Sequence, residues 1–224
     1  DADLLILGKA LADAHLITGG SGIAMGLPAN LIRAGAAQSL TTKSTTFGGP
    51  EAILAGSCSG ATRAQLDVHA ANHPVLAIDV PKVMAGETTP KELVAFFDAN
   101  TGSAPLVYSS GTPEEVSEIQ KRFGKDKVAV RLDAFFAETT RALIQQGYKR
   151  IVVAGGETSG AVAQAVTSEM SASAMEIGPE IDPGVPVLTV RGKNGTIGLA
   201  LKSGNFGAPD FFAKALSVMS GGAS

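Results

Sequence analysis

The chain has 224 residues, of which 45% are hydrophobic, and a formal net charge of −3. That length and apolar content can bury a sizeable core without staples, and the slight acidity excludes the basic footprint of a nucleic-acid binder. The single cysteine, Cys58, excludes an intramolecular disulfide framework and points to a reducing, cytoplasmic setting, while no apolar run reaches membrane-spanning length and the acidic start Asp1-Ala2-Asp3 lacks the basic region of a signal peptide.

Leu4, Leu5, Leu7 and Leu11 fall at helical spacing over 4–14. His15 to Thr18 reads as a short strand that runs into Gly19-Gly20-Ser21-Gly22, followed by a helical stretch to about Ala34. The segment 36–50 is rich in Thr, Ser and Gly and reads as a linker. From Glu51 the pattern becomes regular. Apolar strands are expected at Ala52–Ala55, Val75–Ile78, Pro105–Tyr108 and Arg150–Ala154. Helices are expected over 59–72, 89–97, 112–123, 128–146 and 159–168. Thr112-Pro113-Glu114-Glu115 has the N-cap, the proline and the acidic first turn of a helix start. Two further strands, Val185–Val190 and Ile197–Lys202, flank Gly192-Lys193-Asn194-Gly195, whose Asn-Gly pair is a hairpin signal. Asp210–Met219 closes the chain as a helix. The expected fold is α/β: a mixed, mostly parallel sheet with helices on both faces and a late antiparallel hairpin.

Such sheets bind ligands beyond the carboxyl ends of their strands, and the 27 glycines cluster there. Ala154-Gly155-Gly156-Glu157-Thr158-Ser159-Gly160 delivers an apolar strand to two glycines, which admit a close ligand and positive φ. Thr158 or Ser159 is placed to cap the next helix, whose free N–H groups make an anion site. Glu157 fits Mg²⁺ or a ribose better than a bare anion. A plain strand-to-helix turn with a surface Glu is the competing reading.

Gly56-Ser57-Cys58-Ser59-Gly60 repeats this grammar, with Ser57, Ser59 and Thr62 as hydroxyl donors. Cys58 within it reads as a small buried hydrophobe. Lys202-Ser203-Gly204-Asn205-Phe206-Gly207 brings a point charge, Lys202, to a strand end beside Gly204. Phe206 would stack on a base or fill the core. No Walker loop and no Gly-x-Gly-x-x-Gly string is present. With one Cys and three His, a Cys/His metal site is unsupported.

Five strings together resemble the four-carbon acid sugar kinase family, which includes 3-oxo-tetronate, threonate and erythronate kinases. They are Leu-Ile-Thr-Gly-Gly-Ser-Gly (16–22), Gly-Ser-Cys-Ser (56–59), Ala-Gly-Gly-Glu-Thr-Ser-Gly (154–160), Glu-Ile-Asp-Pro-Gly-Val-Pro (180–186) and Leu-Lys-Ser-Gly-Asn-Phe-Gly (201–207). The resemblance implies that 51–224 is a nucleotide-binding domain and that 1–35 is the tail of an acid-sugar-binding domain, with 36–50 between them. It places ATP contacts on Ser57 or Ser59, on Gly155, Gly156, Glu157, Thr158 and Ser159, and on Gly204, with Lys202 offsetting phosphate charge. The family's Asp-Asp-x-Thr-Gly-Ala string is absent from this chain, so the acid-sugar domain is expected upstream. The 180–186 string, with two prolines, reads as a rigid connector.

The implied partners are ATP or ADP with Mg²⁺, and a small acid sugar phosphorylated at its terminal hydroxyl, with no nucleic acid and no membrane. A homo-oligomer is compatible with the sequence, and no catalytic residue is assigned. Two other classes compete. One is a nucleotide- or sugar-phosphate-binding module without catalysis. The other is a serine hydrolase using Ser57 or Ser59, which lacks a base placed by the sequence; His69 and His73 read as surface or satisfied core residues.

Overall fold

The computed structural model describes residues 2–38, 45–109, 111–193 and 195–222. They form two compact units, Asp1–Lys43 and Ser44–Ser224. In the first, α1 (Ala2–Ala10) packs on a 3-10 turn, Ser21–Gly26, and α2 (Pro28–Arg33) follows. The α1 backbone touches the turn at Gly8 against Gly26, and the Asn30 amide donates to the Gly8 carbonyl at 2.7 Å. The expected strand at 15–18 is not formed. Leu16 is 83% exposed, so its apolar character has no sheet to serve.

In the second unit the elements run β1 (Glu51–Ala55), α3 (Gly60–Ala70), β2 (Val75–Ala77), α4 (Val80–Ala85), α5 (Pro90–Ala99), β3 (Leu106–Tyr108), α6 (Pro113–Phe123) and α7 (Lys125–Gln145). They continue with β4 (Arg150–Ala154), α8 (Gly156–Met170), β5 (Glu176–Asp182), β6 (Val185–Gly192), β7 (Gly195–Lys202) and α9 (Phe211–Met219). The seven strands lie in the order β2-β3-β1-β4-β7-β6-β5. The first five are parallel, and β6 and β5 add an antiparallel edge. This is the expected mixed sheet. Asn194, in the expected hairpin turn, and 39–44 of the expected 36–50 linker lie outside the described residues. Within that same stretch, Phe47 is buried in the second unit's core.

Side chains of each central strand alternate between two cores. Ala52 and Leu54 join one with Phe97, Phe135 and Val162; Ile53 and Ala55 join the other with Leu66, Phe211 and Phe212. Helices α4, α5, α7 and α8 thus cover one face and α3 and α9 the other. Burial on both faces explains why Ala52–Ala55 of β1 is apolar without a polar alternate.

Local chemistry sets the helix starts. In α6, the Thr112 hydroxyl accepts from the Glu115 amide at 3.3 Å and the Glu115 carboxylate accepts from the Thr112 amide at 2.7 Å, a reciprocal cap. The 180–186 string is not a connector. It is the end of β5, a turn at Pro183-Gly184 and the start of β6. Asp182 accepts from the Ala208 amide at 2.9 Å and pairs with Lys214 at 2.8 Å, tying the β5 end to α9 and the segment before it. Among the described residues no helix is long and apolar enough to cross a membrane.

Candidate functional site

Register brings three turns together. Tyr108 pairs with Ala55, Ala55 with Ala154, and Ala154 with Lys202, so β3, β1, β4 and β7 end in one row. The chain crosses from β1 to strands on one side of it, then to β4 on the other. The β1–β4 boundary is therefore the topological switch point, where open sheets of this kind leave a crevice.

Two helix N-termini face that boundary. After β4, Gly155 takes φ +131°, a region that excludes most side chains. Its amide is engaged by the Lys202 carbonyl at 2.9 Å. The first α-helical bond of α8 runs from the Ser159 amide to the Gly155 carbonyl at 2.8 Å, so the amides of Gly156, Glu157 and Thr158 precede the helical ladder. Helix α8 begins earlier than expected. Thr158 and Ser159 are buried in its first turn, and the N-cap is Gly155, without a side-chain bond. The Ser159 hydroxyl is buried without a hydrogen-bond partner.

After β1, Ser59 caps α3 by accepting from the Thr62 amide at 3.2 Å. The amides of Gly56 and Ser57 both donate to the Ala154 carbonyl, at 2.9 and 3.1 Å, which clamps this turn to the β4 end. Gly56 lies so close to the Thr158 hydroxyl that a Cβ there would collide with it. The Ser57 hydroxyl accepts from the Ser59 amide at 3.2 Å.

The third turn is locked onto the first. The Gly204 carbonyl oxygen accepts from Ser59 Oγ at 2.6 Å, Thr62 Oγ1 at 3.1 Å and Lys202 Nζ at 3.1 Å. Lys202 also donates to Thr62 Oγ1 at 3.0 Å and to the Ser203 carbonyl at 3.2 Å. These partners occupy the three donors of its ammonium. The side chain is fully buried, and burial pushes its pKa down to about 8. Lys202 thus braces the turn from inside the core. Gln65, which the sequence did not single out, donates to the Phe206, Gly207 and Ala208 carbonyls at 3.1, 2.9 and 2.9 Å. Phe206 packs against the second core.

Beside the β1 and β4 turns opens a cavity of about 210 Å³. Gly56, Cys58, Ser109 and Glu157 border it at the strand ends. Val80 of α4, Val116 and Ile119 of α6, and Val128, Ala129 and Leu132 of α7 line the rest. Cys58 is exposed at this cavity rather than buried as expected, because it sits in the turn beyond β1 and not in a strand. Lys125 is the one cation among the described lining residues.

The charge of Glu157 is felt at a residue that sequence reasoning missed. Asp133 of α7 has its carboxyl pushed up, first by burial and then by the charge of Glu157. No local signal marks Asp133, because it lies mid-helix. Among the described residues no three Asp, Glu, His or Cys side chains cluster as a metal site. Two carboxylates within electrostatic reach of each other are the donor type for a Mg²⁺ that brings phosphate oxygens and waters as its other ligands. The described hydrogen bonds of Ser57 and Ser59 include no histidine. His69 is buried and bonded to the Ala104 carbonyl at 2.8 Å, and His73 to that of Ser103 at 3.1 Å.

A doubly wound sheet with two helix N-termini and a cavity at its switch point defines a nucleotide-binding type of α/β domain. The family model described as "Nucleotide-binding C-terminal domain" matches residues 52–212. The chain belongs to this family, in line with its resemblance to the four-carbon acid sugar kinases. It is 45% identical over 224 residues to a 3-oxo-tetronate kinase of Pseudomonas fluorescens, covering 99% of this chain and 51% of that protein. It is 43% identical over 225 residues to a 3-oxo-tetronate kinase of Pseudomonas savastanoi pv. phaseolicola, covering 100% and 51%. The chain thus spans about half the length of these curated relatives. Among solved structures, Haemophilus influenzae protein HI1011, of family DUF1537, superposes with a TM-score of 0.75 at 34% identity, covering 97% of this chain and 51% of that one.

Proposed function

We propose that this chain supplies the ATP site of a kinase that phosphorylates a four-carbon acid sugar, a 3-oxo-tetronate or related tetronate, at its terminal hydroxyl. The observation that carries the reading is the convergence of the β1 and β4 turns, each opening a helix N-terminus, at the switch point of the sheet. The names of the relatives support the choice of substrate.

In this reading the amides of Gly156, Glu157 and Thr158 and the hydroxyl of Ser57 cradle the phosphates. Ser59, Lys202 and Gly204 hold the neighbouring turn in place rather than touching phosphate. Glu157 and Asp133 would hold Mg²⁺, which neutralises phosphate charge when bound. Transfer forms a bond between the sugar hydroxyl oxygen and the γ-phosphorus and breaks the bond from that phosphorus to the β,γ-bridging oxygen, leaving ADP. The hydroxyl proton passes to a base assigned to the part of the relatives' length that this chain does not span. The chain's contribution is positioning and charge stabilisation, which dominate phosphoryl transfer.

Calorimetric titration of the full-length protein with Mg-ATP tests the site, and a coupled ADP-release assay with four-carbon sugar acids tests the reaction. Binding of Mg-ATP that Gly156→Asp abolishes is expected; a full-length protein that binds no Mg-ATP sinks the reading.

A further inference from the structure

We infer that the apolar slot between α4, α6 and α7 is the seat of the nucleotide's purine base, and that the Ser109 hydroxyl is its polar anchor. The inference rests on the nucleotide reading above and adds where the base goes and what holds it.

Three observations lead there. First, the slot is continuous with the phosphate turns: Gly56, Cys58 and Glu157 border it at one end, and the helices form the other. A nucleotide whose phosphates lie at Gly156–Thr158 therefore reaches the slot through its ribose.

Second, the walls match a flat aromatic ring. Val80, Val116, Ile119, Val128, Ala129 and Leu132 present aliphatic carbon. A four-carbon sugar acid carries a carboxylate and several hydroxyls. Seating it here would set most of those groups against aliphatic walls, with Ser109, Gln120 and Lys125 as the lining donors. A purine has two apolar faces and confines its polarity to one edge. The cavity of about 210 Å³ lies below the roughly 300–1,000 Å³ of sites that enclose a drug-sized ligand. It is scaled to the base and leaves ribose and phosphates at the mouth.

Third, the slot contains an unmet polar group. Ser109 follows β3 as Gly56 follows β1, and its amide donates to the Ala55 carbonyl at 3.0 Å. Its hydroxyl is buried without a hydrogen-bond partner. A buried unpaired hydroxyl is unfavourable, and a ring nitrogen or exocyclic amine at the base edge would satisfy it. Gln120, also lining the slot, offers a side-by-side donor and acceptor, the pairing that suits an adenine edge.

The test is calorimetric titration of the full-length protein and two variants with Mg-ATP, with thermal unfolding recorded for each. Ala129→Phe fills the slot from α7 and is expected to weaken Mg-ATP by about ten- to a hundredfold. Ser109→Ala removes one oxygen and is expected to weaken it by about three- to tenfold. Adenosine, which has no phosphate, should compete with Mg-ATP in the unsubstituted protein and lose that ability in Ala129→Phe. Unchanged Mg-ATP affinity in folded Ala129→Phe overturns the slot and leaves the phosphate turns standing. Unchanged affinity in Ser109→Ala overturns the anchor. No Mg-ATP binding by the unsubstituted protein overturns the nucleotide reading, and this inference falls with it.

Discussion

The Ser59 hydroxyl stands 2.6 Å from the Gly204 carbonyl oxygen across a separation of 145 residues. One side chain thereby caps α3 and fastens the turn after β7 to the turn after β1. Its removal should be felt at both places. Ser59→Ala is expected to destabilise the fold by about 1–3 kcal/mol, the range for a lost cap and a buried bond. Urea unfolding reads the loss, and Ser59→Thr should recover most of it.

The approach of Gly56 to Thr158 predicts a site-specific effect. A Cβ at 56 would strike the Thr158 side chain, so Gly56→Ala should push the β1 and β4 turns apart. Mg-ATP affinity is expected to fall about tenfold, for an overpacking cost near 1–2 kcal/mol. Thr158→Ala in the same protein should restore part of that affinity, because it removes the struck hydroxyl and methyl. A double-mutant cycle on Mg-ATP affinity checks the coupling.

Lys202 predicts a pH dependence with a definite sign. Its pKa falls from 10.5 to about 8 through burial. Between those values the unfolded chain holds a proton that the folded protein has shed, so stability rises with pH. The destabilisation is complete below about pH 8 and is relieved as pH climbs to 10.5. Urea unfolding of the unsubstituted protein minus that of Lys202→Met should show this rise and be flat at lower pH. The subtraction removes other groups such as Tyr148, whose hydroxyl, bonded to Asp98, is pushed up to about 12 mainly by burial.

The carboxylate pair predicts opposite effects on stability and binding. Burial and Glu157 raise the pKa of Asp133, so the folded state holds a proton that the unfolded chain has lost. The resulting destabilisation is present at neutral pH and disappears as pH falls toward 3.8. Asp133→Asn is expected to be more stable than the unsubstituted protein at pH 7, with the gap closing on acidification. If the pair holds Mg²⁺, the same variant and Glu157→Gln should need more Mg²⁺ for half-maximal ATP binding, measured by titration at fixed ATP.

The strands were legible where burial is two-sided. Ala52–Ala55 and Ile151–Ala154 are continuous apolar runs because helices cover both faces. The same logic misled at Leu16-Ile17, which lie in a loop where Leu16 is exposed and Ile17 only half-buried. Helix α4 escaped notice because it has six residues and depends on the Asp79 cap, which accepts from the Lys82 amide at 3.1 Å. Strand β5 was hidden by Pro179 and by a shift in its pairing register with β6. At the site, the turns were readable because glycine and hydroxyl residues recur at strand ends. The inward direction of Lys202, and the influence of Glu157 on Asp133, depend on tertiary placement that no local pattern encodes.

The row formed by Ala55, Ala154 and Lys202 has a consequence for biosynthesis. The crevice is built from three points far apart along the chain, and the last of them follows β7. A nascent polypeptide released only as far as α8 would carry both helix N-termini without the Gly204 clamp that steadies the first. Pairings this distant form slowly relative to local helices. A ligand that recognises only the assembled row would stabilise the finished domain by about 2.7 kcal/mol at a hundredfold excess over its Kd. Protection from proteolysis by that ligand should therefore appear abruptly, when translation has delivered the turn at 204 and the α9 helix that packs behind it, and not in stages.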